Sequence, residues 1–242
     1  MRKEQVNALI EHAKSGLKSI EIQYKDALEN TTIPHPLQID IKNCMENLRS
    51  ALDYIAHDIY EKVIAPQRTA ARIPEIINIY FPYGKTENDF KSGVGSSLPE
   101  LKTISQNLYN IIEAIQPYKA GDNFLYDFCN ILNEKKHNVL TPQIKEIKQG
   151  LAMDFGGARI QMGPGSSISG TGFIGTGTGG VFLRGDKISG DSPATRISGN
   201  VKQTIIKWVS FKFSDTGVEV LPLLKKVIEQ VDWLCKNIYQ TI

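Results

Sequence analysis

Residues 41–63 read IKNCMENLRSALDYIAHDIYEKV, and their pattern sets the expectation for the rest of the chain. Ile41, Cys44, Leu48, Leu52, Ile55, Ile59 and Val63 recur at steps of three and four. That spacing stacks them on one face of a helix about six turns long. The other face is polar. Arg49, Asp53 and His57 follow one another at i, i+4 positions as one strip, and Asn47 and Tyr54, seven apart, form a second. The helix is expected to be the hub of a helical domain, with a core side and a chemical side.

Upstream, Val6, Leu9, Ile10, Ala13, Leu17, Ile20 and Tyr24 keep helical spacing over residues 4–29, and Asn30-Thr31-Thr32 with Pro34-His35-Pro36 end the run. His35 is expected to be exposed in the connector, and Asp40 to cap a hub helix spanning 40–63. Downstream, residues 73–84, IPEIINIYFPYG, predict a brief strand or an extended strap across the helices. Gly93-Val94-Gly95-Ser96-Ser97 reads as a loop. Leu98-Pro99-Glu100 opens a helix through Leu101, Ile104, Leu108, Ile111, Ile112 and Ile115, closed at Gln116-Pro117. In GDNFLYDFCNILNEKKHNVL, residues 121–140, Asp122 is the expected cap and Phe124, Phe128, Ile131, Leu132 and Lys135 the inward face. Asn130, Asn133 and His137 share the opposite stripe. Four main helices are thus expected by Leu140.

Composition shifts at Thr141-Pro142, and residues 150–190 hold 13 glycines among 41 positions. That density opposes helix and suits turns, bulges and short strands. The run lacks the spacing of a phosphate-binding loop, so a mobile hairpin tip or a cover over a pocket is expected. VKQTIIKWVSFKF, residues 201–213, is β-branched and aromatic, with Ile206, Trp208 and Ser210 alternating against Ile205, Lys207 and Val209. Ser214-Asp215-Thr216-Gly217 predicts a hairpin turn into a strand at 218–221. Pro222 should open a last helix with Leu224, Val227, Ile228, Val231, Leu234 and Ile238 inward. The expected fold class is α+β: a helical bundle over 1–145, then a small Gly-rich antiparallel sheet with a C-terminal amphipathic helix over 146–242, either as a second unit or packed as one with the bundle.

With 41% hydrophobic content, 242 residues can bury a sizeable core. No window approaches a membrane span, and MRKEQVNALIEHAK has no apolar signal core, so a soluble cytoplasmic protein is expected. Cys44, Cys129 and Cys235 are odd in number and sit within apolar helical patterns, which predicts buried free thiols. Residues 1–150 carry 18 basic and 19 acidic side chains, and the remainder 10 and 7. Neither part has the basic excess of a protein that coats nucleic acid.

NLRSALDYIAHDI, FPYGKTENDF, and IEAIQPY followed by LYDFCNILNEKKHNVL occur in the order and spacing of a family of uncharacterised bacterial proteins that this chain resembles over residues 5–140. That helical region in turn resembles HEPN domains, whose RNase members carry Arg followed four to six residues later by His. Arg49 is retained here, Tyr54 stands at the His position, and His57 lies eight residues after Arg49. In the last block Asn133, Lys136 and His137 match, whereas Lys135 replaces the family's acid and Asn138 its terminal Arg. The resemblance implies an RNA or nucleotide ligand, a homodimer, and a role in bacterial defence or a toxin-antitoxin context.

Two functions are expected from these residues. The first is a catalytically silent HEPN-like module that dimerises or binds a nucleotide, RNA or protein partner. The alternative is a metal-independent endoribonuclease. RNA cleavage of that kind needs a base for the 2′-hydroxyl, an acid for the leaving oxygen and a cation for the phosphorane. His137 and His57 would move the protons and Arg49 and Lys136 supply the cations, with Asn133 fixing the His137 tautomer. Asn47, Asp53, Tyr54, Asn133 and Lys136 are the expected binding residues. A metal hydrolase built on Asp53, His57 and His137 lacks paired-ligand spacing, and no coenzyme or nucleophilic Ser or Cys signature is present. No metal or cofactor is therefore expected.

Overall fold

The computed structural model describes the chain apart from residues 28–32, 136–142, 156–157, 164, 177–178, 190–196 and 200. The fold is α+β, with helices and two small antiparallel sheets. It divides into two compact units, one made of Met1–Ile144 with Phe211–Ile242 and the other of Lys145–Ser210.

The first unit is helical. It contains α1 (Lys3–Ala27), the hub α2 (His35–Ile59), a π-helical turn (Tyr60–Ile64) that continues it, α3 (Ala65–Ala70), α4 (Glu87–Ser97), α5 (Leu101–Ile104), α6 (Gln106–Ala114), α7 (Pro117–Ala120), α8 (Phe124–Lys135) and α9 (Val220–Thr241). The hub's apolar stripe does what its spacing requires: Leu48, Leu52, Ile55 and Ile59 are each 0% exposed. Burying a side chain of this size stabilises the fold by roughly 1.5–3 kcal/mol. The stripe of α1, Val6, Ile10, Ala13 and Ile20, is buried as well, and α1 lies along α2.

The C-terminal helix belongs to the same unit as these helices. Its face of Leu224, Val227, Ile228, Val231, Leu234 and Ile238 is buried, and α9 packs on α1, α2, α6 and α8. An apolar helical stripe is covered best by other stripes of the same period. A polar tie reinforces this. Asp58 on α2 is 0% exposed and accepts hydrogen bonds from the Arg2 amide, from Arg2 Nη1 at 2.9 Å and from the Tyr239 hydroxyl at 2.7 Å.

Several boundaries differ from the expected ones. The hub begins at His35, with Pro34 extended before it and Pro36 in its first turn, where a missing N–H costs nothing. Asp40 is therefore inside the helix and not its cap, and its carboxylate accepts a 2.6 Å bond from Gln23 Nε2. Residues 93–97 are the end of α4 and not a loop. Thr86 and Asp89 form a reciprocal capping box at its start, and Phe90 and Val94, one turn apart, are buried. Burial and capping override the low helix propensity of Gly93 and Gly95. The helix expected over 98–116 is split at Ser105, whose hydroxyl accepts the Leu108 amide and starts α6. Residues between α3 and α4 run as an extended strap without strand pairing, held by Ile76 N–H donating to the Tyr60 hydroxyl at 2.7 Å. Asp122 does accept the Phe124 amide, at 3.3 Å, ahead of α8. The Lys135 side chain and the expected continuation to 140 lie outside what is described.

The second unit carries the glycine-rich sequence. One sheet has the order β2-β1-β6, from β1 (Gln143–Asp154), β2 (Arg159–Met162) and β6 (Lys202–Phe213). The other has the order β3-β4-β5, from β3 (Ser167–Thr176), β4 (Gly179–Ser189) and β5 (Ile197–Gly199). Leu151, Met153, Phe155, Met162, Val181 and Ile188 form its buried cluster. The glycines build longer strands than expected, because β3 and β4 pair from Ser167↔Ser189 to Thr176↔Gly179 and slip register between Ser169 and Thr171. Gly170 lies in that slip and Gly172 just after it, at φ 153° and 152°, values a side chain would oppose. The tip of this hairpin falls at residues 177–178, outside the described part.

After β6 the chain turns as expected at Ser214–Thr216, with Gly217 at φ 70°. No strand follows. A single bridge joins Lys212 to Glu219, and α9 starts at Val220, two residues before Pro222. Proline fits the first helical turn, so the helix can begin ahead of it.

Candidate functional site

Within the helical unit, α2, α4, α8 and the strap enclose a cleft of about 370 Å³. Arg49 and Asp53 come from the hub, Asn133 from α8, Tyr80 and Tyr83 from the strap, and Ser96 and Ser97 from α4. The strap reaches Asp53 through its backbone, with Phe81 N–H donating to Asp53 Oδ1 at 2.8 Å. Its shape is fixed from behind by Gln116. This side chain is 0% exposed, accepts the Gly84 amide at 3.1 Å, and donates Nε2 to the Pro82 and Ile112 carbonyls at 3.3 and 3.1 Å. Gly84 permits the close approach of strap and α4, since a Cβ there would stand 2.3 Å from the Phe90 nitrogen.

Arg49 is enclosed on several sides. Its Nε lies 3.3 Å from Asp53 Oδ2, with the two side chains 17% and 23% exposed. Nη1 donates to Cys129 Sγ on α8 at 3.0 Å, and the guanidinium sits over the Tyr83 ring, 5.3 Å from its centroid. Asn133 Nδ2 donates to the Tyr83 hydroxyl at 2.7 Å, which locks the ring over the cation. Burial pushes the Cys129 thiol up to about 11 even though Arg49 pulls it down, and burial likewise raises the Tyr83 phenol. Both groups are neutral near pH 7, so the carboxylate of Asp53 is the charge that balances Arg49 within the described cleft.

The expected site residues separate into three groups. Arg49, Asp53 and Asn133 are brought together. Asn47 instead lines a smaller hollow of about 170 Å³ with His12 and Asp40 between α1 and α2, Tyr54 is exposed, and His57 is half-buried without lining the cleft. The strip of Arg49, Asp53 and His57 parts because each i, i+4 step drifts by about 40° around a helix of 3.6 residues per turn, so His57 points about 80° away from Arg49. Lys136 and His137 lie outside the described residues. Arg49 and Asp53 form the expected i, i+4 pair, but inside a cleft and not on a solvated face.

The sequence reading missed Tyr83, Gln116 and the α4 serines. FPYG and QPY were both visible as motif blocks, yet nothing in their spacing signals that Gln116 would be a buried bracket for the strap. Cys129 was expected to be a buried free thiol, as were Cys44 and Cys235, and all three are. That Cys129 accepts from Arg49 is an added role. Among the described residues no group of three His, Cys, Asp or Glu side chains is disposed to hold a metal ion, and no helix is long and apolar enough to cross a membrane. No family model, curated protein or solved structure matches this chain.

Proposed function

We propose that the helical unit is a HEPN-like binding module, catalytically silent, with the Arg49 cleft as its ligand site and a nucleotide or RNA segment as its ligand. The observation that supports binding over cleavage is the engagement of Arg49 by Asp53, Cys129 and Tyr83. A cleaving site needs a cation ready to meet developing phosphorane charge and an imidazole in reach of the reacting oxygens. Here the cation is already paired, and among the described residues no imidazole lines the cleft. A preformed concave site lined by aromatic rings with a few fixed polar groups is the usual form of a small-ligand pocket.

The test incubates wild type, Arg49→Ala and His137→Ala with a mixed RNA pool and a nucleotide panel, with and without chelator. Cleavage and thermal shift are followed together. The expected result is a ligand-dependent thermal shift without cleavage, insensitive to chelator and lost in Arg49→Ala. Chelator-resistant cleavage abolished by both substitutions would overturn the reading in favour of the endoribonuclease.

A further inference from the structure

Resting on that reading, we infer that the cleft recognises an uncharged planar ring, a nucleobase, and not a phosphate. The charge balance carries the argument. Among the described residues that line the cleft, Arg49 and Asp53 are the charged side chains, and they lie 3.3 Å apart. A phosphate approaching Arg49 would bring its charge beside the Asp53 carboxylate in a partly desolvated place, where like charges repel more strongly than in water. The Arg49 cation is also covered by the Tyr83 ring, which Asn133 holds in position.

What the cleft offers instead suits a flat ring with polar edges. Tyr80 is 54% exposed at the cleft, so its ring can take a stacking partner. Stacking on an aromatic side chain needs no ligand charge, because every base has a π-face. Asn133 gives Nδ2 to Tyr83, and among the described residues its Oδ1 accepts nothing. Ser97, from α4, also lines the cleft and carries a hydroxyl. One acceptor and one hydroxyl of either sense can address the edge of a base. The volume, about 370 Å³, is at the lower end of ligand pockets and accommodates a nucleoside.

Calorimetric titration of the full chain with the common nucleosides, their 5′-monophosphates and inorganic phosphate, at low and high salt, tests this. The expected result is that a nucleoside and its monophosphate bind within about threefold of each other, with little dependence on salt, because no phosphate is neutralised. Tyr80→Ala and Asn133→Ala should each weaken both ligands about tenfold, and Tyr80→Phe should retain binding. Tyr80 and Asn133 are exposed, so both variants fold, as circular dichroism would verify. Monophosphates that bind while nucleosides do not, or competition by inorganic phosphate, would overturn the base inference and leave the proposed binding site standing. Failure of every probe, together with no shift from the RNA pool, would overturn both.

Discussion

Asp53 and Asp58 belong to the same helix and have opposite assignments. Asp58 is sealed from solvent and joins the start of the chain, the hub and the last helix through Arg2 and Tyr239. Asp53 is part-exposed, faces a cleft, and divides its two oxygens between a strap amide and Arg49. The difference teaches that a carboxylate on a hub helix is sealed where other elements close over it and left facing a cleft where they do not. Helical phase alone does not distinguish the two.

Breaking the structural member of the pair should have the largest effect. Asp58→Ala leaves the Tyr239 hydroxyl and the Arg2 amide without their acceptor, and removing one partner from a buried charged network costs on the order of 3–5 kcal/mol. Urea denaturation should register that loss, while ligand binding per folded molecule stays unchanged. An unaltered midpoint would place Asp58 among the dispensable polar groups. Next in size is Gly84→Ala, where the added methyl meets the backbone of Phe90 and cannot be relieved by a side-chain rotation. We expect a cost of about 1–3 kcal/mol, and a loss of ligand-induced thermal shift as the strap is displaced. Wild-type binding in this variant would separate the strap from the cleft's function.

Asp53→Asn should be the mirror image of the Asp58 change. An amide can still accept the Phe81 N–H but leaves the largely buried Arg49 without its balancing charge, so the stability cost should be about 1–3 kcal/mol. The cleft would gain net positive charge, and its preference should move towards monophosphates over nucleosides. A variant with unaltered selectivity would remove Asp53 as the group that balances Arg49. The smallest effect lies at the exposed end of the Asp58 network. Hydrogen bonding and charge from Arg2 hold the Glu61 carboxyl below its ordinary value. A depressed folded-state value stabilises above the unfolded pKa of about 4.3 and is lost as pH falls through the lower folded value. Glu61 is 47% exposed, so the amplitude should be only a few tenths of a kcal/mol. Comparing acid unfolding of wild type and Glu61→Gln would detect it, and identical profiles would discount the pair.

The sequence disclosed those parts of the fold that are governed by period. The inward faces of α1, α2 and α9, and the apolar part of that of α8, followed from i, i+3 and i, i+4 spacing, because a helix buries one stripe whatever covers it. It was less informative where long-range contacts decide. Gly93 and Gly95 suggested a loop until Phe90 and Val94 were seen to be buried, and Pro34 and Pro36 looked like a break when they begin the hub. At the site, Arg49, Asp53 and Asn133 were legible as polar positions on helices whose apolar faces were known. Tyr83, Gln116 and Ser97 were not, since their roles arise from a strap and a helix meeting at distances that no local pattern encodes.

The π-helical turn that ends the hub has a consequence for how this chain can vary in length. Through Tyr60–Ile64 the ladder widens until the Ala65 amide bonds to the Tyr60 carbonyl, so the segment accommodates one residue more than an α-helix would over the same rise. It behaves as an insertion absorbed without a loop. Deleting a single residue there should restore an ordinary helix without turning α3, so that Arg68 keeps the Pro74 carbonyl and Glu100, which it grips at 2.7 Å and 2.9 Å. Glu100 sits at φ 60°, a left-handed conformation uncommon for its residue type, and would keep the ion pair that anchors it. A homologue shortened at this turn should therefore be free to retain the residues at positions 68 and 100.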